Sequence, residues 1–365
     1  MGDRRSQVRG RMKWQIIHPF ENQVWHHLLK RFPDADIYFL PEYHRSHELN
    51  GDGEACAFVF EQEEQVLFYP FFMRQIVNIG EEPVSGRWYD LETVYGYSGP
   101  LCTTTDESFL EQAWMTFAKW CQEKCVVAEF IRFNPVLVNF CSAGSSCSLT
   151  LDRETVTVRL DCSESELWAS YPQVHRNMVR KAIGKSLVCE PVSLDEGMTE
   201  FKRLYAMTMD RAGAHPYYYF SGTYFSHVAD SLGEHVRLFQ VRDQDRTIAA
   251  SLFFVYDGSI YYHLSGSHTD YLQSAPNNLL LHGVADWGRK NGFQQLFLGG
   301  GRTSAPGDSL FRFKAGLSRL RLPFYTGRRV HNRQAYEALC AQWMLQAGVI
   351  ERPNYFLLYR MEQNH

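Results

Sequence analysis

The sequence predicts an α+β fold that occurs twice along the chain. Three observations point there. The 365 residues exceed an ordinary domain of about 100–200 residues, so two domains are expected. Each half orders its segments alike: helix, antiparallel strand pair, glycine-containing turn, helix, strand. Hydrophobic residues at 45%, with 15% aromatic and 21% charged, supply a sizeable globular core. The formal charge of −4 excludes a protein built chiefly to hold DNA.

In the first half, residues 21–31 read as a helix that ends at Phe32-Pro33, because proline biases its predecessor away from helix. Residues 55–61 and 65–74 are strand-like and flank the charged turn Glu61-Gln62-Glu63-Glu64, which makes a hairpin. A turn-rich stretch, Tyr95-Gly96-Tyr97-Ser98-Gly99-Pro100, follows. Phe109, Leu110, Ala113, Trp114, Phe117 and Trp120 fall at helical spacing, so 107–124 is a helix, and 126–133 is the strand after it. Serine, glycine and threonine then take over, which sets a domain boundary near residue 150, to within about ten residues. The reading is thus a disordered leader over 1–12, a first domain over 13–150 and a second over 151–365.

The second half begins with a strand from Val156. Ser163 and Glu166 form a capping-box pair, in which serine and glutamate satisfy the free amides of a helix start. The helix runs toward 181–183, with Pro172 kinking or dividing it and Gly184 as its cap. A helix over 194–211 and the aromatic loop Pro216-Tyr217-Tyr218-Tyr219-Phe220 follow, then a helix over 224–232. Residues 236–242, 247–256 and 259–264 are strands, the last pair joined by Asp257-Gly258, a strong hairpin signal. Residues 277–290 form an amphipathic helix stopped by Asn291-Gly292, and 293–298 form a strand that runs into Gly299-Gly300-Gly301.

Several segments in this order resemble a known family. They are Leu167-Trp168 with Arg176-Asn177 and Arg180-Lys181-Ala182; Tyr261-Tyr262-His263-Leu264-Ser265-Gly266-Ser267; Ala275-Pro276-Asn277-Asn278; Gly292; and Phe313-Lys314. A weaker likeness lies in Tyr69-Pro70-Phe71 and the turn-rich stretch at 95–100. The chain resembles the Fem-type peptidoglycan-bridge aminoacyltransferases and related BioF2-like acyltransferases with the GNAT fold. That resemblance implies two tandem GNAT-like domains, each a mixed sheet flanked by helices, with acceptor on the first and donor on the second. It implies transfer of an acyl or aminoacyl group to an amine, commonly on a peptidoglycan or polysaccharide precursor of the cell wall. Lys314 and Phe313 would serve transfer from the charged donor, and Arg176, with Arg180 and Lys181, would hold acceptor phosphates.

The sequence departs from the family in two places. No long helical hairpin follows in the second half, and Gln273-Ser274-Ala275-Pro276-Asn277-Asn278 lacks the glycines of the usual CoA turn. The donor therefore stays open between aminoacyl-tRNA, through its acceptor end, and acyl-CoA. Asn277 and Asn278 are the candidate cofactor-binding pair, at a helix start where a donor pyrophosphate would sit. An acyl-CoA enzyme acting on a small amine or amino sugar is the alternative. A non-catalytic binder of a phosphorylated envelope precursor is another.

Direct attack by an amine needs a neutral amine, a held carbonyl and stabilisation of the oxyanion. From residue 309 to 333 no acidic residue occurs, while Arg312, Lys314, Arg319, Arg321, Arg328, Arg329 and Arg333 are basic. Such a run suits phosphate, and Arg312 is a candidate substrate contact. As a surface residue, Lys314 would tolerate alanine at a cost within roughly 1 kcal/mol. His263 is a candidate for proton transfer, with Tyr262 on the opposite face of its strand. Tyr217 is a candidate acceptor contact. Gly307-Asp308-Ser309-Leu310 spells a hydrolase word, but it lies late in the chain, on a loop before Phe311, and reads as chance.

The nine cysteines are odd in number and scattered, which suits a reducing compartment, and the expected location is the cytoplasm. No cysteine spacing matches a metal site, so no metal and no tightly bound cofactor are expected. The start is basic and polar, unlike a secretory signal, and Gly2 with Ser6 fits the loose myristoylation pattern only by chance. No transmembrane segment is expected, which leaves peripheral contact with a membrane surface open.

Overall fold

The computed structural model describes residues 12–362. Of the expected leader, and of the Gly2–Ser6 pattern, only Met12 lies within that range. The chain divides into two compact units: one runs to Leu151 and resumes at Tyr325, the other is Asp152–Phe324.

The first unit holds β1 (Lys13–Ile17), α1 (Asn22–Leu29), α2 (Pro41–Asn50), β2 (Glu54–Gln62), β3 (Gln65–Ile79), β4 (Glu82–Glu92), β5 (Leu101–Cys102), α3 (Glu107–Glu123) and β6 (Val126–Arg132). Strand β7 (Ser148–Arg159) leads into the second unit. That unit continues with α4 (Glu164–Ser170), α5 (Gln173–Gly184), β8 (Val188–Val192), α6 (Leu194–Ala212), α7 (Gly222–Ser231), β9 (Val236–Asp243), β10 (Arg246–Tyr256), β11 (Ser259–Ser267), α8 (Pro276–Lys290), β12 (Gln295–Gly299) and α9 (Ser309–Ala315). Strand β13 (Leu320–Val330) returns the chain to the first unit, where α10 (Arg333–Ala347) follows.

The strands of the two units follow one plan. In the first unit β1, β2, β3 and β4 are successive antiparallel neighbours, β4 pairs with β6 in parallel, and β6 pairs antiparallel with β13. In the second unit β8, β9, β10 and β11 are successive antiparallel neighbours, β11 pairs with β12 in parallel, and β12 pairs antiparallel with β7. A parallel neighbour cannot be reached by a hairpin. Helices α3 and α8 make those two crossovers.

Aromatic packing builds the first core. Phe117 of α3 lies 5.1 Å from Phe58 and 5.4 Å from Tyr69 between ring centroids. Burying each such side chain contributes about 1.5–3 kcal/mol. In the second unit α6 runs so close to β11 that a Cβ on Gly266 would lie 2.3 Å from the Tyr205 nitrogen. Only glycine fits there.

The units divide between Leu151 and Asp152, and the chain from Tyr325 on groups with the first unit, not with Asp152–Phe324. Residues 326–330 of β13 pair with β6, and the reason is a buried ion pair. Arg329 sits directly across from Glu129 and donates to its carboxylate, to the Ala143 carbonyl and, at 3.2 Å, to Ser146 Oγ. Its guanidinium stacks 3.9 Å over the Trp114 ring. Pro172 divides the expected helix into α4 and α5, and the Ser163–Glu166 capping box forms.

Candidate active site

The parallel ladder between β11 and β12 is short. It pairs Ser259, Ile260 and Tyr261 with Gln295, Leu296 and Phe297, and then the strands part. β11 carries on to Ser267 with β10 alone, and β12 ends at Gly299, whose φ of +72° turns the chain away. Lys314 of α9 stands at this parting. Its Nζ donates to the Gly300 carbonyl just beyond β12, at 2.7 Å, and lies 5.4 Å from the centre of the Tyr262 ring just beyond the paired part of β11. Lys314 is only 7% exposed, so the sequence's view of it as a surface residue is corrected.

Asp308 positions α9. One carboxylate oxygen caps the helix through the Phe311 amide at 2.7 Å, and the other accepts from the amides of Arg302 and Thr303, both at 3.1 Å. A Cβ on Gly301 would lie 2.3 Å from that carboxylate, which is why glycine recurs in this loop. Burial pushes the Asp308 carboxyl up, but the three amides outweigh it and hold it below its ordinary value. Burial drives the Lys314 ammonium down to about 7, with Asp308 opposing the shift and Arg153 adding to it. A lysine that titrates near neutrality, with its hydrogen bond fixed, is a candidate catalytic group.

Helix α8 starts beside the same strand. Its N-cap, Ala275, has φ +57° and supplies no side-chain cap, and Pro276 occupies the first turn. The side chains of Asn277 and Asn278 are engaged, the first with Ser267 Oγ at 3.3 Å and the second with His175 Nδ1 at 3.0 Å. What the pair offers an anion is therefore backbone N–H, reinforced by the helix dipole. Lys185, just past the end of α5, reaches this turn through Ser274 Oγ at 3.1 Å.

The other candidates scatter. His263 does not join Lys314: Tyr262 and His263 face opposite ways, and His263 Nε2 is 2.7 Å from Tyr224 Oη, its ring 4.3 Å from Phe254. It packs β11 against α7. Arg176 is spent on the end of α4, donating to the Ala169 carbonyl at 3.2 Å and to Gln173 at 2.7 Å. Arg180 is exposed and stacks 5.3 Å over Trp168, and Lys181 is exposed one residue on. Tyr217 is exposed in its loop, edge-on to Tyr218. Phe313 is half-buried against the core of the second unit, and Arg312 is exposed on α9. The acid-free run does not act as one patch, since Arg329 is consumed by Glu129 and Arg321 stacks on Phe311. Ser309 is exposed and accepts only from Arg302, at 3.3 Å, among the hydrogen bonds described.

Residues 173–315 match the family described as Acetyltransferase (GNAT) domain. The solved structure of FemX aligns with a TM-score of 0.62 at 14% identity, over 89% of this chain and 99% of that one. The chain has a tandem GNAT fold. The C-terminal domain of a putative lysylphosphatidylglycerol synthetase from Agrobacterium fabrum aligns at TM-score 0.52 and 15% identity, over 88% of this chain and 97% of that one. A tandem GNAT protein from the clavulanic acid biosynthesis pathway does so at 0.51 and 8%, over 88% and 99%. No curated protein matches significantly by sequence. The GNAT match covers α5 to α9, the span that contains the parted strands and Lys314. No helix of the described residues is long and apolar enough to cross a membrane.

Proposed function

We propose that the protein is an N-acyltransferase that moves an acyl or aminoacyl group from an activated donor to an amine, with the chemistry in the second unit. The observation that carries this reading is Lys314, buried where β11 and β12 part and tuned toward neutrality. The donor carbonyl would enter between the parted strands, and its phosphates would lie at the start of α8, near Asn277, Asn278 and Lys185. The amine nitrogen attacks the carbonyl carbon, and the N–C bond forms. With one N–H on Gly300 and the ammonium facing the Tyr262 ring, Lys314 keeps a further N–H for the oxyanion. As the intermediate collapses, the C–S or C–O bond to the donor breaks, and the leaving thiol or hydroxyl takes the proton that the attacking amine gives up.

The acceptor class rests on the resemblance to Fem-type enzymes: an amine on a phosphorylated peptidoglycan or polysaccharide precursor, handled in the cytoplasm. Arg180, Lys181, Arg312 and Tyr217 are exposed and remain the candidate contacts; Arg176 is a weaker one because its guanidinium holds α4. The deciding experiment offers purified protein acetyl-CoA, and separately aminoacyl-tRNA, with an amine acceptor. Transfer that ribonuclease abolishes identifies the tRNA donor, and thiol release from CoA identifies the other. Precursor binding with no product from either donor would overturn the enzyme reading.

A further inference from the structure

A second chemically distinctive cluster lies in the first unit, away from Lys314 in sequence. The antiparallel register of β1 and β2 pairs Ile17 with Ala57, so the next residue, His18, comes opposite Cys56. Glu54, two residues earlier on β2, shares a face with Cys56 because side chains alternate along a strand. The result is three different metal-ligating groups within 4.8 Å of one another. His18 Nδ1 lies 3.7 Å from Cys56 Sγ and 3.7 Å from Glu54 Oε1.

These separations are close to those of a tetrahedral site. Zinc bonds of about 2.3 Å to sulfur and 2.0–2.1 Å to nitrogen or oxygen put neighbouring ligand atoms about 3.3–3.6 Å apart. Glu54 has a half-exposed side chain that is able to rotate the remaining distance, whereas Cys56 is 2% exposed and fixed. The surroundings favour a cation. The Glu21 carboxylate accepts from the His18 amide at 2.9 Å, and Glu48 accepts from the Ala55 amide at 3.1 Å. The one competing contact described for the His18 ring nitrogen is the Ala55 carbonyl, at 3.3 Å.

We propose that His18, Glu54 and Cys56 bind a divalent transition-metal ion of the zinc class, with water in the fourth position. Thiolate, imidazole and carboxylate together select a borderline-soft ion over magnesium or calcium. Binding forms the metal–sulfur bond and releases the Cys56 thiol proton to solvent. Because β1 is the edge strand of its sheet, the ion ties the residue that follows that strand to β2.

Titration of the full chain with Co(II) tests this. The expected result is one equivalent bound, with the intense visible bands of tetrahedral cobalt, a thiolate charge-transfer band, and displacement by Zn(II). His18→Asn and Cys56→Ser should each lose the charge-transfer band, while Glu54→Gln keeps it with weaker binding. Cys56 is buried, so if Cys56→Ser does not fold, His18→Asn alone decides. No saturable band in the native chain, or a band of undiminished affinity in His18→Asn, overturns the proposal.

Discussion

Replacing Lys314 by methionine separates catalysis from stability. Methionine keeps the length and apolar stem of the side chain and removes its charge. A lysine held near 7 in the folded chain and near 10.5 when unfolded is charged in the unfolded state across that whole interval. Below about pH 7 its burial therefore costs roughly 4–5 kcal/mol, and that cost fades as pH rises toward 10.5. Methionine removes the cost but also removes the bond to the Gly300 carbonyl, worth about 1–3 kcal/mol. The net expectation at pH 7 is a variant more stable by about 1–3 kcal/mol and devoid of transfer. Urea unfolding between pH 6 and 9 reads the first effect. Native stability should climb by up to about 1.4 kcal/mol per pH unit above 7, and the variant should lack this slope. Thiol release or product formation reads the second effect. A variant less stable than the native chain at every pH, or one that still transfers, refutes the reasoning.

Two further outcomes follow from other buried charges. Burial holds His175 neutral down to about 4 and, together with His47, holds His44 down to about 3, while both would titrate near 6.5 unfolded. The part of the stability that depends on these two histidines should thus be complete above pH 6.5 and fall by about 2 kcal/mol for each at pH 5, measured by urea unfolding; a flat profile between pH 5 and 6.5 would contradict it. Arg329→Met strands Glu129, which Arg329 and His331 hold at about 2 against its burial, and should cost about 3–5 kcal/mol. Adding Glu129→Gln should recover part of that loss, and no recovery would mean that the arginine matters for packing alone.

Local signals made much of the fold legible. The apolar runs of β2 and β3 on either side of a charged turn, the helical stripe of α3 and the Asp257-Gly258 turn each specify an element within a few residues of chain. Strand β4 escaped because only two of its eleven residues, Asp90 and Leu91, are buried and the pattern shows no alternation. Helix α10 was readable from Tyr336, Leu339, Cys340 and Trp343 at helical spacing, yet went unread. The long-range features were the harder ones. The basic run looked unpaired because Glu129, the partner of Arg329, lies 200 residues away. Lys314 was found by resemblance, but its burial depends on the loop that Asp308 folds, which no spacing reveals. His263 looked catalytic because a strand histidine carries no mark of the face it occupies. His18 and Cys56 are 38 residues apart, so a search for close cysteine pairs misses them.

The second unit is one unbroken stretch of chain set into the first, whose final strand and helix come from beyond it. This sets an order of assembly on the ribosome. Everything the second unit needs, from Asp152 to Phe324, has been synthesised before the first unit receives β13 and α10. Until then Glu129 waits without Arg329, and β6 presents a bare edge of the kind that other chains bind. The nascent chain is therefore most vulnerable between the synthesis of β6 and that of β13, and the residues after Phe324 are the ones that close the first unit.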